Sequence, residues 1–183
     1  FTLHYQPIFA LPSGVVHSFE ALIRWQHPDK GLLSPATFIP AAEELGLIIP
    51  MSAWVLLEAC TQLREWHERF PWSTPLSVSM NFSSAQFTNP GVVETVSEAL
   101  ERTGLDGSAL AVEITESVLL RDPEAALATI EGLRRMKVQV HLDDFGTGFS
   151  SLSYLHQLPA DVLKIDRSFI SRLGADRSAD VMV

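Results

Sequence analysis

The sequence predicts an α/β fold of the barrel type, in which parallel strands are joined by helices. Segments with strand and helix character alternate along the 183 residues, which is typical of parallel strands with right-handed crossovers. Five strand segments carry apolar residues on one face and polar residues on the other. Strands of an open, doubly wound sheet are apolar on both faces, so the pattern favours a barrel. An antiparallel sheet with one solvated face would fit the strands but not the helices between them.

The elements follow one another with short breaks: two strands, two helices, and then strands and helices in alternation. Runs of alternating apolar and polar residues predict strands at residues 3–9, 15–25, 76–82, 111–115, 138–143 and 162–166. Helical spacing and end signals predict helices at residues 35–45, 52–70, 91–103, 124–136 and 150–155, with a last one from residue 168. No Gly-x-Gly-x-x-Gly follows an early strand, which weakens a dinucleotide-binding interpretation.

Three helix starts and two helix ends have chemical support. Ser34, Asn89 and Asp122 each precede a proline, so a capping oxygen stands before a residue suited to the first turn. Gly46 and Gly104 lie where a left-handed residue would end a helix.

The helix predicted at residues 52–70 carries one apolar stripe, which indicates the face that packs on the sheet. Its members are Leu56, Ala59, Leu63, Trp66 and Phe70. Cys60 lies beside the stripe and is interpreted as a small buried residue rather than a reactive thiol. As the only cysteine, it excludes an intrachain disulfide and favours a reducing, cytoplasmic location.

Charge and hydropathy exclude two classes of partner. The chain has 22 acidic and 13 basic residues, a net charge of −9. An acidic domain without a basic stripe is a poor candidate for binding duplex nucleic acid. No apolar run approaches the roughly 18 residues that a membrane-spanning helix needs, so we expect no direct membrane insertion.

Polar residues on the face opposite the helices predict a site inside the barrel. They are Glu20, Asn81, Glu113, Asp143 and Lys164. Most of them lie in the second half of their strand, the end where barrel enzymes build active sites. His141 shares this face and is interpreted as a core polar group with a hydrogen-bond partner.

The oxygen donors of this set predict divalent-metal chemistry. Carboxylates and an amide oxygen suit Mg²⁺ or Mn²⁺, and the chain has no cysteine–histidine cluster with zinc spacing. Asp143 and Asp144 are adjacent at a strand end, where both could bind a pair of metals. Such a pair stabilises the attacking and leaving oxygens when a phosphoester is displaced. Lys164 could orient a water molecule or offset developing charge.

Seven ordered stretches across the chain resemble the EAL-domain phosphodiesterases, which hydrolyse the bacterial messenger cyclic di-GMP to linear pGpG. They are Tyr5-Gln6-Pro7-Ile8, Glu20-Ala21-Leu22-Ile23-Arg24-Trp25, Phe38-Ile39-Pro40-Ala41-Ala42-Glu43, Met80-Asn81-Phe82-Ser83, Glu113-Ile114-Thr115-Glu116, residues 143–148 (Asp-Asp-Phe-Gly-Thr-Gly) and Leu163-Lys164-Ile165-Asp166. The resemblance implies a modified TIM (β/α)8 barrel whose first strand is antiparallel to its neighbours.

The resemblance also implies a role for each matching residue. Four of them would bind the first metal: Glu20, Asn81, Glu113 and Asp143. Asp143 would bridge to a second metal with help from Asp144, and Lys164 would hold the hydrolytic water. The remaining roles are a phosphate contact for Arg24, a guanine neighbour for Gln6, and support of the loop after Asp144 for Glu116.

The chain shows about six of the eight strands that a full barrel of about 250 residues needs. We therefore expect residues 1–183 to form a single EAL domain that lacks its last two strand–helix units. In the family those units carry a glutamate that acts as metal ligand and general base, and a substrate-binding glutamine. We also expect fusion to sensory or cyclase domains, and possible homodimers. A non-catalytic cyclic di-GMP receptor or partner-binding module is the alternative function.

Overall fold

One sheet organises the chain, which a computed structural model describes at residues 1–70, 75–145 and 160–171. Its strands are β1 (Thr2–Ala10), β2 (Val15–His27), β3 (Gly31–Leu33), β4 (Ser77–Asn81), β5 (Leu110–Thr115), β6 (Gln139–Phe145) and β7 (Val162–Ile165). The sheet order is β1-β2-β4-β5-β6-β7, with β3 paired to β2 on the side. All six predicted strands are confirmed, and β3 is an addition.

Strand direction in the sheet agrees with the resemblance. β1 pairs with β2 in antiparallel fashion, and β3 does the same. The strands β2, β4, β5, β6 and β7 run parallel to one another. The first strand is therefore antiparallel within an otherwise parallel sheet, apart from the short β3.

Helices lie between successive strands from β3 to β6, and one more follows β7. They are α1 (Pro35–Glu44), α2 (Ile48–Arg69), α3 (Ser84–Phe87), α4 (Val92–Thr103), α5 (Glu116–Arg121), α6 (Pro123–Arg135) and α7 (Arg167–Ile170). The short helices α3 and α5 were not predicted, and α2 begins at residue 48 instead of 52. The helix predicted at residues 150–155 lies outside the described residues. Within the described ranges, no helix combines the length and apolarity needed to cross a membrane.

The helix-end signals are confirmed in part. Asp122 Oδ1 accepts a hydrogen bond from Ala125 N at 3.1 Å, and Gly46 and Gly104 have φ of 68° and 66°. The predicted caps at the other two sites are wrong in detail. Ser34 precedes α1, but its side chain makes no capping hydrogen bond. Asn89 Oδ1 accepts a hydrogen bond from Gly91 N at 2.9 Å, and Gly91, not Asn89, is the N-cap of α4.

The core lies between the apolar face of the sheet and helices α2, α4 and α6. Its strand side includes Val78, Val112 and Val140, all fully buried. Leu56, Ala59, Cys60 and Leu63 of α2 are fully buried against them, as the stripe predicts. Burial raises the pKa of the Cys60 thiol to about 12, as expected of an unreactive core cysteine.

Two parts of the predicted core are exposed instead. Phe70 is 44% exposed because it caps α2 with an extended backbone (φ −125°, ψ 98°), which takes its side chain off the helical stripe. On β7, Leu163 and Ile165 are 46% and 37% exposed. This strand is the last one in the sheet that the structure describes.

Candidate functional site

Strand register aligns the predicted polar residues across the face of the sheet opposite the core. Glu20 of β2 is level with Ser79 of β4, and Asn81 of β4 is level with Glu113 of β5. Glu113 is in turn level with His141 of β6. Parallel strands in this register present their side chains as one continuous polar surface.

Lys164 of β7 is the residue on which this surface converges. Its Nζ atom lies 3.2 Å from Glu20 Oε2 and 3.5 Å from Asp143 Oδ2, and it donates a direct hydrogen bond to Glu113 Oε2. The four residues come from four strands. Burial lowers the pKa of the Lys164 ammonium, but the three carboxylates outweigh burial and its pKa is raised.

The contact between β7 and β2 shows that the sheet is curled. In a flat sheet these strands would be four spacings of about 4.8 Å apart, roughly 19 Å, which a lysine side chain cannot span. Lys164 nevertheless reaches Glu20 directly. The polar face is therefore the concave, inner face, as the barrel prediction requires.

Glu113 is a fully buried carboxylate with one satisfied oxygen. Oε2 accepts the bond from Lys164, whereas Oε1 is buried and has no hydrogen-bond partner among the described residues. His141 Nδ1 lies 3.8 Å from Oε1, which is too long for a hydrogen bond. Burial raises the pKa of Glu113, but its neighbours His141, Lys164 and Ser79 outweigh burial, and the pKa is lowered.

Glu20 and Asn81 form a second pair in the cluster. Asn81 Nδ2 donates to Glu20 Oε1 at 2.6 Å, so one oxygen of Glu20 faces Asn81 and the other faces Lys164. The side chain of Glu20 is 17% exposed. This arrangement fixes the orientation of the carboxylate from both sides.

The two adjacent aspartates diverge at the end of β6. Asp143 reaches Lys164, whereas Asp144 has a left-handed backbone with φ of 52° and lines a neighbouring cavity. Burial and the nearby carboxylates of Asp143 and Asp166 raise the pKa of Asp144, partly offset by Lys164. An aspartate in the left-handed region costs free energy, and such residues are concentrated at functional sites.

The residues predicted to bind substrate lie around the cluster rather than in it. Gln6 of β1 is directly opposite Glu20. Arg24 follows Glu20 on the same face of β2, and its Nη1 donates to Ile23 O at 2.8 Å. Glu116 is the first residue of α5, but the loop it would support begins at residue 146, outside the described residues. Its predicted role therefore stays untested.

A cavity of about 680 Å³ adjoins the cluster, a volume suited to a ligand of nucleotide size. Its wall includes Leu22 and Asn81 from the sheet, Pro40 and Glu43 from α1, and Asp144. No role is assigned to Glu43 from the sequence, so its place in this wall was missed. Only the position of α1 over the sheet could have indicated it.

One further polar residue, Ser79, was not assigned correctly from the sequence, whereas the prediction for His141 is confirmed. Ser79 is fully buried and its Oγ has no hydrogen-bond partner among the described residues. The alternation of residues in β4 predicts that Ser79 faces inward, but it does not predict that Ser79 is fully buried beside Glu113. His141 has the predicted partner, since its Nε2 lies 3.2 Å from Gln139 Oε1.

The donor set fits a divalent metal in its chemistry. It offers carboxylate oxygens and one amide group, the ligands preferred by Mg²⁺ and Mn²⁺, and a buried Glu113 oxygen that lacks a partner. In the ranges that the structure describes, no three acidic, histidine or cysteine side chains converge closely enough to hold an ion. Lys164 stands between the carboxylates instead.

Comparison with known proteins matches the whole chain to one family. The family model described as "EAL domain" covers residues 1–183. The chain is 47% identical over 176 residues to the bifunctional diguanylate cyclase/cyclic di-GMP phosphodiesterase MucR of Pseudomonas aeruginosa, covering 95% of the chain and 25% of MucR. It is 40% identical over 168 residues to the cyclic di-GMP phosphodiesterase PdeR of Escherichia coli, covering 92% and 25%. The chain thus spans about a quarter of these relatives.

A solved structure confirms the fold. The chain superposes on the PaMucR phosphodiesterase in complex with c-di-GMP with a TM-score of 0.89 at 45% identity, covering 99% of this chain and 72% of that one. Together with the curled sheet and its antiparallel first strand, this match confirms the prediction of an incomplete modified TIM barrel.

Proposed function

This chain belongs to the EAL domain family, and from that premise we propose that it hydrolyses cyclic di-GMP to linear pGpG with Mg²⁺ or Mn²⁺. One observation carries the proposal: a lysine and three carboxylates from four strands meet on the concave face, beside a cavity of nucleotide size. Relatives named as cyclic di-GMP phosphodiesterases support the choice of substrate.

We propose that Glu20, Asn81, Glu113 and Asp143 hold the first metal and that Asp144 helps to hold a second. The bound metals would supply the positive charge that stabilises the attacking and leaving oxygens. The divergence of Asp143 and Asp144 supports separate roles, because one faces the cluster and the other the cavity.

The chain's own cations have separate tasks in this proposal. Lys164 orients the attacking water by hydrogen bonding, and Arg24 binds a substrate phosphate that would otherwise be repelled by the carboxylates. Gln6 lies on the neighbouring strand, where it contacts a guanine base. Because pGpG carries a 5′ phosphate, the bond that breaks is the one between phosphorus and the 3′ oxygen. Water adds at phosphorus, and the departing 3′ oxygen takes up a proton.

The chain's place in a larger protein is part of the same proposal. Residues 1–183 supply most of one EAL domain, and two further strand–helix units complete the barrel. Because the chain spans about a quarter of MucR and PdeR, we propose that it is fused to sensory or cyclase domains in the cytoplasm. A homodimer remains a prediction.

The test is turnover by the complete barrel. The protein with both further strand–helix units is incubated with cyclic di-GMP and Mg²⁺ or Mn²⁺, and pGpG is followed by chromatography, with the 183-residue chain alongside. We expect pGpG from the complete barrel. Tight binding of cyclic di-GMP without pGpG would contradict the proposal and identify a receptor.

A further inference from the structure

We propose that Lys164 is a built-in counter-ion of the metal site, which the entering divalent cation displaces from the carboxylates. The lysine would then have two positions: among the carboxylates in the metal-free protein, and beside the attacking water in the loaded one. The inference rests on the proposed function for the metal ligands and the cation, but not for the hydrolysis of a phosphodiester.

The contacts of Lys164 show that it holds the oxygens a metal would need. Its ammonium contacts Glu20 Oε2, Glu113 Oε2 and Asp143 Oδ2, one oxygen from each carboxylate proposed to bind the first metal. A cation bound by these three side chains must therefore compete with the ammonium for the same oxygens.

Burial makes the counter-ion necessary. The side chain of Glu113 is 0% exposed, and those of Glu20 and Asp143 are 17% and 22% exposed. Three carboxylates packed this closely repel one another strongly where water is scarce. One ammonium compensates only part of that charge, so a net negative site remains to attract a divalent cation.

Displacement predicts opposite effects of removing the lysine charge. Lys164→Met keeps an unbranched side chain of similar length but leaves the carboxylates without their cation. We expect the metal-free variant to melt at a lower temperature than the wild type. We also expect it to bind Mn²⁺ at least about tenfold more tightly, because the competitor and its repulsion of the metal are gone.

The experiment measures Mn²⁺ binding to the complete protein by calorimetry, without substrate. Lys137→Met is the matched control, since it removes the same charge from a lysine whose side chain is 72% exposed and paired with Asp106. Its Mn²⁺ affinity should equal that of the wild type. Lys164→Arg, which keeps the charge, serves if the methionine variant does not fold and should bind Mn²⁺ no more tightly than the wild type.

The outcomes separate this inference from the proposed function. Unchanged or weaker Mn²⁺ binding by Lys164→Met would overturn displacement, as would tighter binding by Lys164→Arg. A wild type that binds no Mn²⁺ would remove the premise and overturn it as well. Tighter binding by Lys164→Met, together with a wild-type protein that makes no pGpG, would overturn the phosphodiesterase proposal alone.

Discussion

Lys164 Nζ lies 3.2 Å from Glu20 Oε2, although 144 positions separate the two residues in the chain. The contact joins β2 to β7 across the concave face of the sheet, so it depends on the curl of the whole barrel. It also links the fold to the site, because any change that opened the sheet would separate these two groups. Function here depends on tertiary closure rather than on one local motif.

Replacement of Glu20 should separate activity from folding. Glu20→Ala removes a proposed metal ligand, while Lys164 keeps two other carboxylate partners. We expect turnover of cyclic di-GMP to fall by about 100-fold or more, with the cooperative unfolding transition retained. Glu98→Ala, on the exposed side of α4, is the control and should keep the parental rate. A parental rate for Glu20→Ala in Mg²⁺ would show that the metal assignment is wrong.

Replacement of the Asn81 amide by a carboxylate should make the stability of the protein depend on bound metal. Asn81 Nδ2 donates to Glu20 Oε1 at 2.6 Å, and Asn81→Asp replaces that donor with a second negative charge. In chelator we expect the free energy of unfolding to fall by about 1 kcal/mol, a modest value because Asn81 is exposed. Saturating Mn²⁺ should restore it, as measured by urea denaturation.

The matched control for this exchange is Asn89→Asp. Asn89 uses its Oδ1 atom to accept from Gly91 N, and a carboxylate can accept the same bond. Its stability should therefore not depend on Mn²⁺. A wild-type value for Asn81→Asp in chelator would contradict the pairing of Asn81 with Glu20.

The strands and the inward face could be predicted because both follow from local alternation. In a strand, each residue shares a face with the residues two positions away, and this alternation does not depend on the tertiary structure. It therefore places on one face Glu20, Glu113, Asp143 and Lys164. The meeting of these residues could be expected from the barrel, but which carboxylates Lys164 contacts could not. That outcome depends on register and curl, which no single strand encodes.

The elements that were missed are short and lack a periodic signal. β3 spans Gly31–Leu33, and its strand character comes from pairing with β2 rather than from its own residues. α3 and α5, of four and six residues, are shorter than two helical turns and show no stripe. The depth of Ser79 was equally invisible, because burial is set by neighbours from other strands.

Acidification should remove a stabilising contribution of Asp106. Hydrogen bonds from the Ser108 hydroxyl and backbone, with the nearby Lys137, lower the pKa of Asp106 to about 2. The folded pKa lies below the unfolded value of about 3.9, so the contribution is present above pH 4 and lost as pH falls towards 2. The free energy of unfolding of Asp106→Asn, measured with urea, should therefore fall less than that of the wild type between about pH 4.5 and 2.5. These limits follow from the folded and unfolded pKa values of Asp106.

Asp29→Asn provides the comparison for Asp106. Asp29 is an exposed aspartate on the turn between β2 and β3, so its replacement removes the same charge from another place. We expect its loss of stability over this pH range to follow that of the wild type. Equal pH dependence of the Asp106 and Asp29 variants would mean that the Ser108 contacts do not hold the carboxylate in solution.

A single methyl group at Gly107 should destabilise the fold. Gly107 opens the turn before β5, and a Cβ there would stand 1.9 Å from the backbone oxygen of Met136 and 3.3 Å from a methyl of Val138. Because the first of these atoms is backbone, the clash cannot be relieved by a rotamer change. Gly107→Ala should lower the free energy of unfolding by about 2 kcal/mol or more.

Gly91→Ala tests whether that loss comes from the close approach rather than from glycine itself. A Cβ at Gly91 would lie 3.4 Å from Asn89 Oδ1, an ordinary contact, and Gly91 has a φ of −89° that alanine adopts readily. Its free energy of unfolding should fall by about 1 kcal/mol at most, because alanine is a poorer helix N-cap than glycine. Equal losses in the two variants would contradict the packing of the turn against Met136. A clearly larger loss in Gly107→Ala would support the close packing of this turn, which leads into β5, the strand that carries Glu113.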